Sequence, residues 1–229
     1  MTIDWSTIKA VTIPEGNVKK IAIDGVTVWE KSALPSEYQA VEYIGNTGTQ
    51  YIKTGYIPTP SYNTRIDMQY MFTAKQSDDK MLFGSKGGSN DITYQGEAYN
   101  GTQWYCGGGY YQFRNVLVNV GTALNTKYTF LINGNKMTIN DSSVSHNQTR
   151  TAGSALELYI FAWNTNGQAG FINSGARIYQ LKFTVDGVVE ADFVPCYRKS
   201  DNVAGMYDLI GKQFLTNAGT GTFTVGADI

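Results

Sequence analysis

The 229 residues are 42% hydrophobic, enough for a sizeable core, but only 16% are charged, below the roughly 25% of an average globular chain. Nucleic-acid affinity comes from neutralising phosphates. With a formal net charge of −1 and no basic run longer than Lys19-Lys20, the chain has no footprint for that partner. No apolar run approaches the roughly 20 residues of a membrane span, and Met1-Thr2-Ile3-Asp4-Trp5 lacks the basic start of a signal peptide. A soluble protein, without a membrane partner and not exported by the general secretory route, is expected. Cys106 and Cys196 are the two cysteines, and their spacing leaves both a bridge and two reduced thiols open.

In chain order, residues 1–33 read as a small β attachment segment and linker. Lys9–Ile13 alternates polar and apolar, Pro14-Glu15-Gly16 turns, and Val18–Ile23 resumes a strand pattern. Asp24-Gly25 is a hairpin signal leading into Val26–Trp29, and Lys31–Pro35 reads as a linker. Three short strands are too few to bury a core of their own, so this segment is expected to dock on something else.

From residue 34 to 229, short strands recur between turn signals, the pattern of an all-β sandwich or barrel. They are expected at Tyr51–Thr54, Thr64–Phe72, Met81–Ser85, Gln103–Cys106, Tyr110–Asn115, Val116–Val120, Tyr128–Ile132 and Lys136–Ile139. Leu156–Trp163, Arg177–Val185, Val188–Phe193 and Phe214–Leu215 complete the set. Asn133-Gly134 and Asp186-Gly187 tolerate the positive φ of tight hairpin turns. Val203–Leu209 reads as at most one helical turn. Two similar Gly/Thr turns, at Asn46–Thr49 and Asn217–Thr222, each precede an edge strand, which predicts that the first and last strands lie side by side.

Two segments are more specific than this periodicity. One is Glu42-Tyr-Ile-Gly-Asn-Thr-Gly-Thr-Gln-Tyr-Ile-Lys-Thr-Gly55. The other comprises Arg177–Phe183, Asp192-Phe-Val-Pro-Cys196, Gly205-Met-Tyr-Asp208, Phe214 and Thr216–Phe223. Together they resemble the concanavalin A-like (laminin-G-like) modules of phage and prophage tail-associated proteins, over about residues 34–226. Residues 7–31 resemble the short attachment stretch of such proteins. The resemblance implies a jelly-roll sandwich of two antiparallel sheets and a non-enzymatic structural protein of the virion, assembled in the bacterial cytoplasm. It implies host adhesion by binding a surface saccharide, and contacts to other virion proteins through residues 1–31. The alternatives are a decoration or assembly subunit that binds no glycan and, third, a glycoside hydrolase.

The chemical motifs are sparse. His146, in the polar loop Asn140–Arg150, has no nucleophile-elbow sequence nearby, and one histidine with two distant cysteines makes a poor zinc site. A glycosidase needs two acids flanking the scissile bond; Glu190-Ala-Asp192 has the spacing, but Pro195 interrupts the series. Calcium suits the fold class, yet neither Ser77-Asp78-Asp79 nor Asn90-Asp91 forms a calcium-loop pattern, so no cofactor is assigned. Gly107-Gly108-Gly109 lacks the lysine and helix of a phosphate cradle and reads as a hairpin or bulge.

The aromatic residues are the best candidates for ligand binding. Trp104, Tyr105, Tyr110 and Tyr111 crowd around the glycine loop, and Trp163 is followed by Asn164 and Asn166. Aromatic faces stack on the apolar faces of sugar rings, and amides bind hydroxyls; the same residues also anchor protein interfaces. Phe113, Tyr159, Phe161 and Phe183 are assigned to the core, whereas Trp163 and Tyr110 fit either role. Because residues 1–33 cannot bury themselves and such appendages are often trimers, a homo-oligomer, in particular a trimer, is expected. Light scattering across a wide concentration range checks this, and a persistent monomer overturns it.

Overall fold

A computed structural model describes residues 20–23, 26–30, 34–76, 79–88, 92, 94–99, 102–146, 149–151 and 156–229. The chain divides into two units, residues 1–33 and 34–229. In the first, β1 (Lys20–Ile23) pairs antiparallel with β2 (Val26–Glu30), Ile23 opposite Val26. The expected strand at Lys9–Ile13, the Pro14–Gly16 turn and Asp24-Gly25 lie outside the described residues.

The second unit is a β-sandwich, with no helix among its described residues. Its strands begin with β3 (Tyr38–Ala40), β4 (Ile44–Asn46), β5 (Ile52–Lys53), β6 (Thr64–Phe72), β7 (Met81–Ser85), β8 (Tyr94–Tyr99), β9 (Gln103–Gly108) and β10 (Tyr111–Val118). There follow β11 (Lys127–Asn133), β12 (Lys136–Ile139), β13 (Ser142–Ser145), β14 (Tyr159–Ile160), β15 (Trp163–Thr165), β16 (Gln168–Gly170) and β17 (Ala176–Val185). The last are β18 (Val188–Arg198), β19 (Val203–Asp208), β20 (Gln213–Thr216) and β21 (Thr224–Val225). The smaller sheet has the order β10-β9-β8-β7-β14-β5, with the β15–β16 hairpin joined to β7. The larger has the order β13-β12-β11-β6-β17-β18-β19-β20, with β4 beside β17, β21 beside β4 and β3 beside β18.

Alternation along the strands builds the core between the sheets. On β6, Thr64, Ile66, Met68, Tyr70 and Phe72 are buried while the residues between them are not, the period of two that a pleated strand imposes. β17 keeps Ile178 and Leu181 both inward, a spacing that strict alternation forbids, because its register against β6 slips between Ile178 and Gln180. From the smaller sheet come Tyr94, Ala98, Trp104, Cys106 and Phe113. Trp104 lies with its ring centre 5.3 Å from Phe130 and 5.4 Å from Tyr70, and its indole N–H donates to the Val120 carbonyl at 2.9 Å. Both cysteines are buried free thiols.

The two Gly/Thr turns meet, although the strands that follow them do not pair. The Thr220 and Ala218 N–H groups donate to the carbonyls of Thr49 and Tyr51, and the Gln50 amide donates to the Thr222 carbonyl at 3.2 Å. Asn46 fastens the same corner, donating to the Asn173 carbonyl at 2.7 Å and accepting the Ala176 N–H at 3.0 Å. The last strand, β21, pairs with β4 and not with the Gln50–Thr54 strand.

Asp186-Gly187 forms the expected two-residue turn, both residues at positive φ (49° and 82°). The β11–β12 turn sits one residue later than expected, on Gly134-Asn135, because Asn133 pairs with Lys136. Val203–Leu209 is not helical: β19 lies between β18 and β20, and Gly205 permits this, since a Cβ there would sit 2.1 Å from the Leu215 carbonyl oxygen. Tyr110–Asn115 and Val116–Val120 are one strand, β10, whereas Leu156–Trp163 breaks into β14 and β15 at Phe161, which has φ 64°.

Trp104→Ala is expected to cost about 3–5 kcal/mol, from lost burial and the cavity left behind. Trp104→Phe, which keeps a ring but leaves the Val120 carbonyl without its donor, should cost less. Urea denaturation of both variants measures the difference, and equal losses would show that the hydrogen bond contributes most of the effect.

Candidate functional site

β9 sorts the aromatic residues. Successive side chains on a strand point to opposite faces, so Trp104 and Cys106 enter the core while Tyr105 and Gly107 face away from it. Gly107 is paired with Gln112 on β10 and with Gln95 on β8. Gln95 is paired with Gly84 of β7, Gly84 with Tyr159 of β14, and Tyr159 with Lys53 of β5. Paired residues share a face, so Lys53, Tyr159, Gly84, Gln95, Gly107 and Gln112 form one row across the outer face of the smaller sheet. Beside it, Glu97, Tyr105 and Arg114 form a second row.

Trp163 covers the first row at Gly84, where a Cβ would lie 2.8 Å from the Trp163 Cδ1 atom. Phe161 and Phe171, at φ 64° and 51°, bracket the β15–β16 hairpin that carries it. A bulky residue in the left-handed region costs on the order of 1–3 kcal/mol and persists only where its surroundings hold it. The Phe161 N–H donates to the Leu82 carbonyl at 2.7 Å, the Phe161 carbonyl accepts from Asn173, and the Phe171 carbonyl accepts from Met81. The turn is Asn166-Gly167, both at positive φ. Trp163 packs against Phe171, itself 44% exposed, and the Lys86 ammonium lies 5.3 Å from the indole centre. The Trp163 indole N–H is buried with no acceptor.

The middle of the face is a polar floor. Gln95, Glu97 and Gln112 are almost fully buried, and the Arg150 Nε donates to the Gln112 Oε1 at 2.5 Å. Gln95 donates to the Glu97 Oε2, but Glu97 Oε1 is buried without a donor and the Asp79 carboxyl is within hydrogen-bonding reach. Two carboxylates make such a contact only when one holds a proton. Burial first, then the Asp79 charge, pushes Glu97 from its ordinary 4.5 up to about 8, against the opposing Gln95 hydrogen bond and the smaller pull of Arg114.

This arrangement divides the aromatic candidates. Tyr105 and Trp163 share the outer face. Trp104 is corrected to a core residue, with no exposed surface for a ligand. Tyr110 and Tyr111 stand elsewhere, at the β9–β10 turn with Tyr62, whose ring stacks on Tyr110 at 4.3 Å. Asn164 is also corrected: its Oδ1 accepts the Gly167 N–H and its Nδ2 donates to the Glu157 carbonyl, each at 2.8 Å, so its amide holds the hairpin. Asn166 is exposed at the turn itself. Phe113, Phe161 and Phe183 belong to the main core; Tyr159 is equally buried, but beneath the hairpin, donating to the Gly167 carbonyl at 3.1 Å. Composition had not singled out Gln95, Glu97, Gln112 or Arg114. Their signal was the alternation in Tyr94–Ala98 and Gln112–Arg114.

The other motifs resolve structurally. Glu190 falls where the β17–β18 register slips, accepting from the Tyr56 hydroxyl at 2.8 Å, whereas Asp192 lies 3.8 Å from Lys182 across the strand pair. The two acids serve separate contacts. His146 packs edge-on against Phe113. Ser77-Asp78 and Asn90-Asp91 lie outside the described residues, and among the described ones no three His, Cys, Asp or Glu side chains converge. Gly109, at φ 62°, belongs to the β9–β10 turn, where a Cβ would lie 2.2 Å from the Ser61 carbonyl oxygen. Comparison of the chain with protein-family models and with curated proteins found no match, so the functional reading rests on the outer face itself.

The folded state holds the Glu97 proton up to about 8, while the unfolded chain releases it near 4.5. The stabilisation from protonated Glu97 is therefore full below about 4.5, and it is lost as pH rises through that window, with a slope of up to about 1.4 kcal/mol per pH unit. Glu97→Gln is expected to flatten this slope and to exceed the wild type at pH 8.5 by on the order of 2 kcal/mol. Urea denaturation at pH 5, 7 and 8.5 reads both curves; parallel curves would mean that no proton is retained.

Proposed function

We propose that this protein is a non-catalytic saccharide-binding module, and that a sugar chain lies across the outer face of the smaller sheet. The observation that carries the reading is the junction of two kinds of group on one face. Partly exposed aromatic rings (Tyr105, Trp163 and Phe171) stand beside buried amides and a carboxyl (Gln95, Gln112 and Glu97), and the Trp163 indole N–H has no acceptor. Buried polar atoms are normally satisfied, and a sugar hydroxyl can accept from an indole N–H. Rings supply stacking area at little entropic cost. Binding is favoured over cleavage because Glu97 and Asp79 are in mutual reach, too close to flank a glycosidic bond as hydrolase acids do at about 5 Å or more. The resemblance to tail-associated modules supports a setting in the virion, where such a face would adhere to the host surface.

A second reading, a structural subunit without glycan affinity, draws on the outer face of the larger sheet. There Arg177 lies over Tyr43 at 4.3 Å and Lys127 over Tyr179 at 4.0 Å, with the two tyrosines edge to face. Arginine and tyrosine are typical of protein interfaces.

Phe171→Ala and Tyr105→Ala, both partly exposed, are expected to keep the fold and weaken glycan binding at least tenfold, about 1.4 kcal/mol each. Tyr110→Ala should leave binding unchanged. A glycan array followed by calorimetry on the hits measures this. A wild type that binds nothing on the array, yet forms a defined oligomer in light scattering, would establish the structural reading instead.

A further inference from the structure

We propose that Met71 is a site of reversible oxidation to methionine sulfoxide by peroxide, and that the Arg177 guanidinium and the Tyr179 hydroxyl hold the added oxygen. The inference goes beyond the saccharide reading and rests on the other sheet. Met71 points outward from β6, between the buried Tyr70 and Phe72. It is in register with Lys127 of β11 and Arg177 of β17, so the three side chains share one row on the outer face of the larger sheet. The Arg177 Nη1 and the Tyr179 hydroxyl both donate to the Met71 sulfur, each at 3.8 Å. A thioether is a weak acceptor, so two donors converging on it are underused. Both donors are also held in place. Arg177 lies 4.3 Å from the Tyr43 ring centre, while Tyr179 packs edge to face on Tyr43 with Lys127 4.0 Å from its own centre.

Access selects the same residue. Met68, Met81, Met137 and Met206 are buried, and Met1 lies outside the described residues. Met71 is the one methionine among the described residues that solvent reaches. In the reaction a sulfur lone pair attacks one peroxide oxygen and the O–O bond breaks. The departing oxygen takes up the proton and leaves as water, so the sulfur is oxidised and the peroxide reduced. A sulfoxide is polar and ordinarily disrupts the apolar packing around a methionine. Here the new oxygen would enter between the sulfur and two donors already aimed at it, closing both gaps to hydrogen bonds of about 2.7–3.2 Å. Sulfoxide reductases can remove that oxygen again. The structural reading draws on this same face, so the modification changes the polarity of that surface while the fold stands.

The test adds dilute hydrogen peroxide to the folded full chain and follows each methionine by peptide mass spectrometry. Met71 is expected to gain one oxygen about tenfold faster than Met68, Met81, Met137 or Met206. The singly oxidised protein should melt at the temperature of the untreated protein or above it, and methionine sulfoxide reductases should restore the original mass. Tyr179→Phe keeps the ring beneath Lys127 and removes one donor, and Arg177→Gln removes the other. In both variants Met71 should still oxidise first, but the sulfoxide should now lower the melting temperature by about 2–4 °C. Met71→Leu, close in volume, should fold and lose the early product. A buried methionine oxidised as fast as Met71 overturns the proposal, as does a sulfoxide whose effect on melting is the same in the wild type and both variants. A sulfoxide that the reductases leave in place overturns its reversibility.

Discussion

The packing of one aromatic layer between two pleated sheets governs this molecule. Trp104, Tyr70, Phe72 and Phe130 meet ring to ring at separations of 5.3–6.2 Å, and Phe83 and Phe183 extend the layer at 5.7 Å. A one-residue slip of β9 would exchange Trp104 for Tyr105 in that layer and expose the indole, so burial holds the register. Once the inward set is held, the outward set follows. Tyr105, Gln95, Glu97, Gln112 and Arg114 are aligned because their neighbours along each strand are committed to the core.

The two outer faces then diverge chemically. The larger sheet carries opposite-charge pairs within a strand, between adjacent strands and within a turn, together with cations over Tyr43, Tyr179 and Phe214. The smaller sheet carries cations over rings and amides over a buried acid, closed on one side by a hairpin whose two flanking phenylalanines are held at positive φ. Strain of this kind survives because backbone hydrogen bonds to Leu82, Asn173 and Met81 overdetermine the hairpin's two ends. The consequence is a rigid Trp163, with its indole N–H committed to no protein acceptor. A pre-ordered ring and an unspent donor lower the ordering cost of binding.

The corner where the chain's two Gly/Thr turns meet has a different task. Gln50 accepts the Thr47 N–H at 2.8 Å and reaches the Thr222 carbonyl, so a single side chain ties the start of the sandwich to its end. Gly219 belongs to this corner because a Cβ there would lie 2.0 Å from the Thr49 carbonyl oxygen. The residues of the two Gly/Thr turns are thus closure residues, on neither aromatic face. They inform on fold far more than on ligand.

By itself the sequence determined the all-β class, most of the long strands and the Asp186-Gly187 turn. These depend on local patterns: alternation and positive-φ dipeptides. Tertiary structure alone decided the site. Trp104 and Tyr105 are equivalent as letters, and only the packing of β9 against Tyr70 and Phe130 sends one inward and the other out. Register slips in β17 and β18 displace Glu190 from the alternation that a motif search assumes, and the turn at Phe161 splits what reads as one strand. Gln95 and Glu97 were visible as alternating polar residues, but their burial, their unmatched oxygen and their row with Tyr159 and Lys53 arise from strands far apart in the chain. Pairing between such strands follows from the energy of the whole core, which no local pattern encodes.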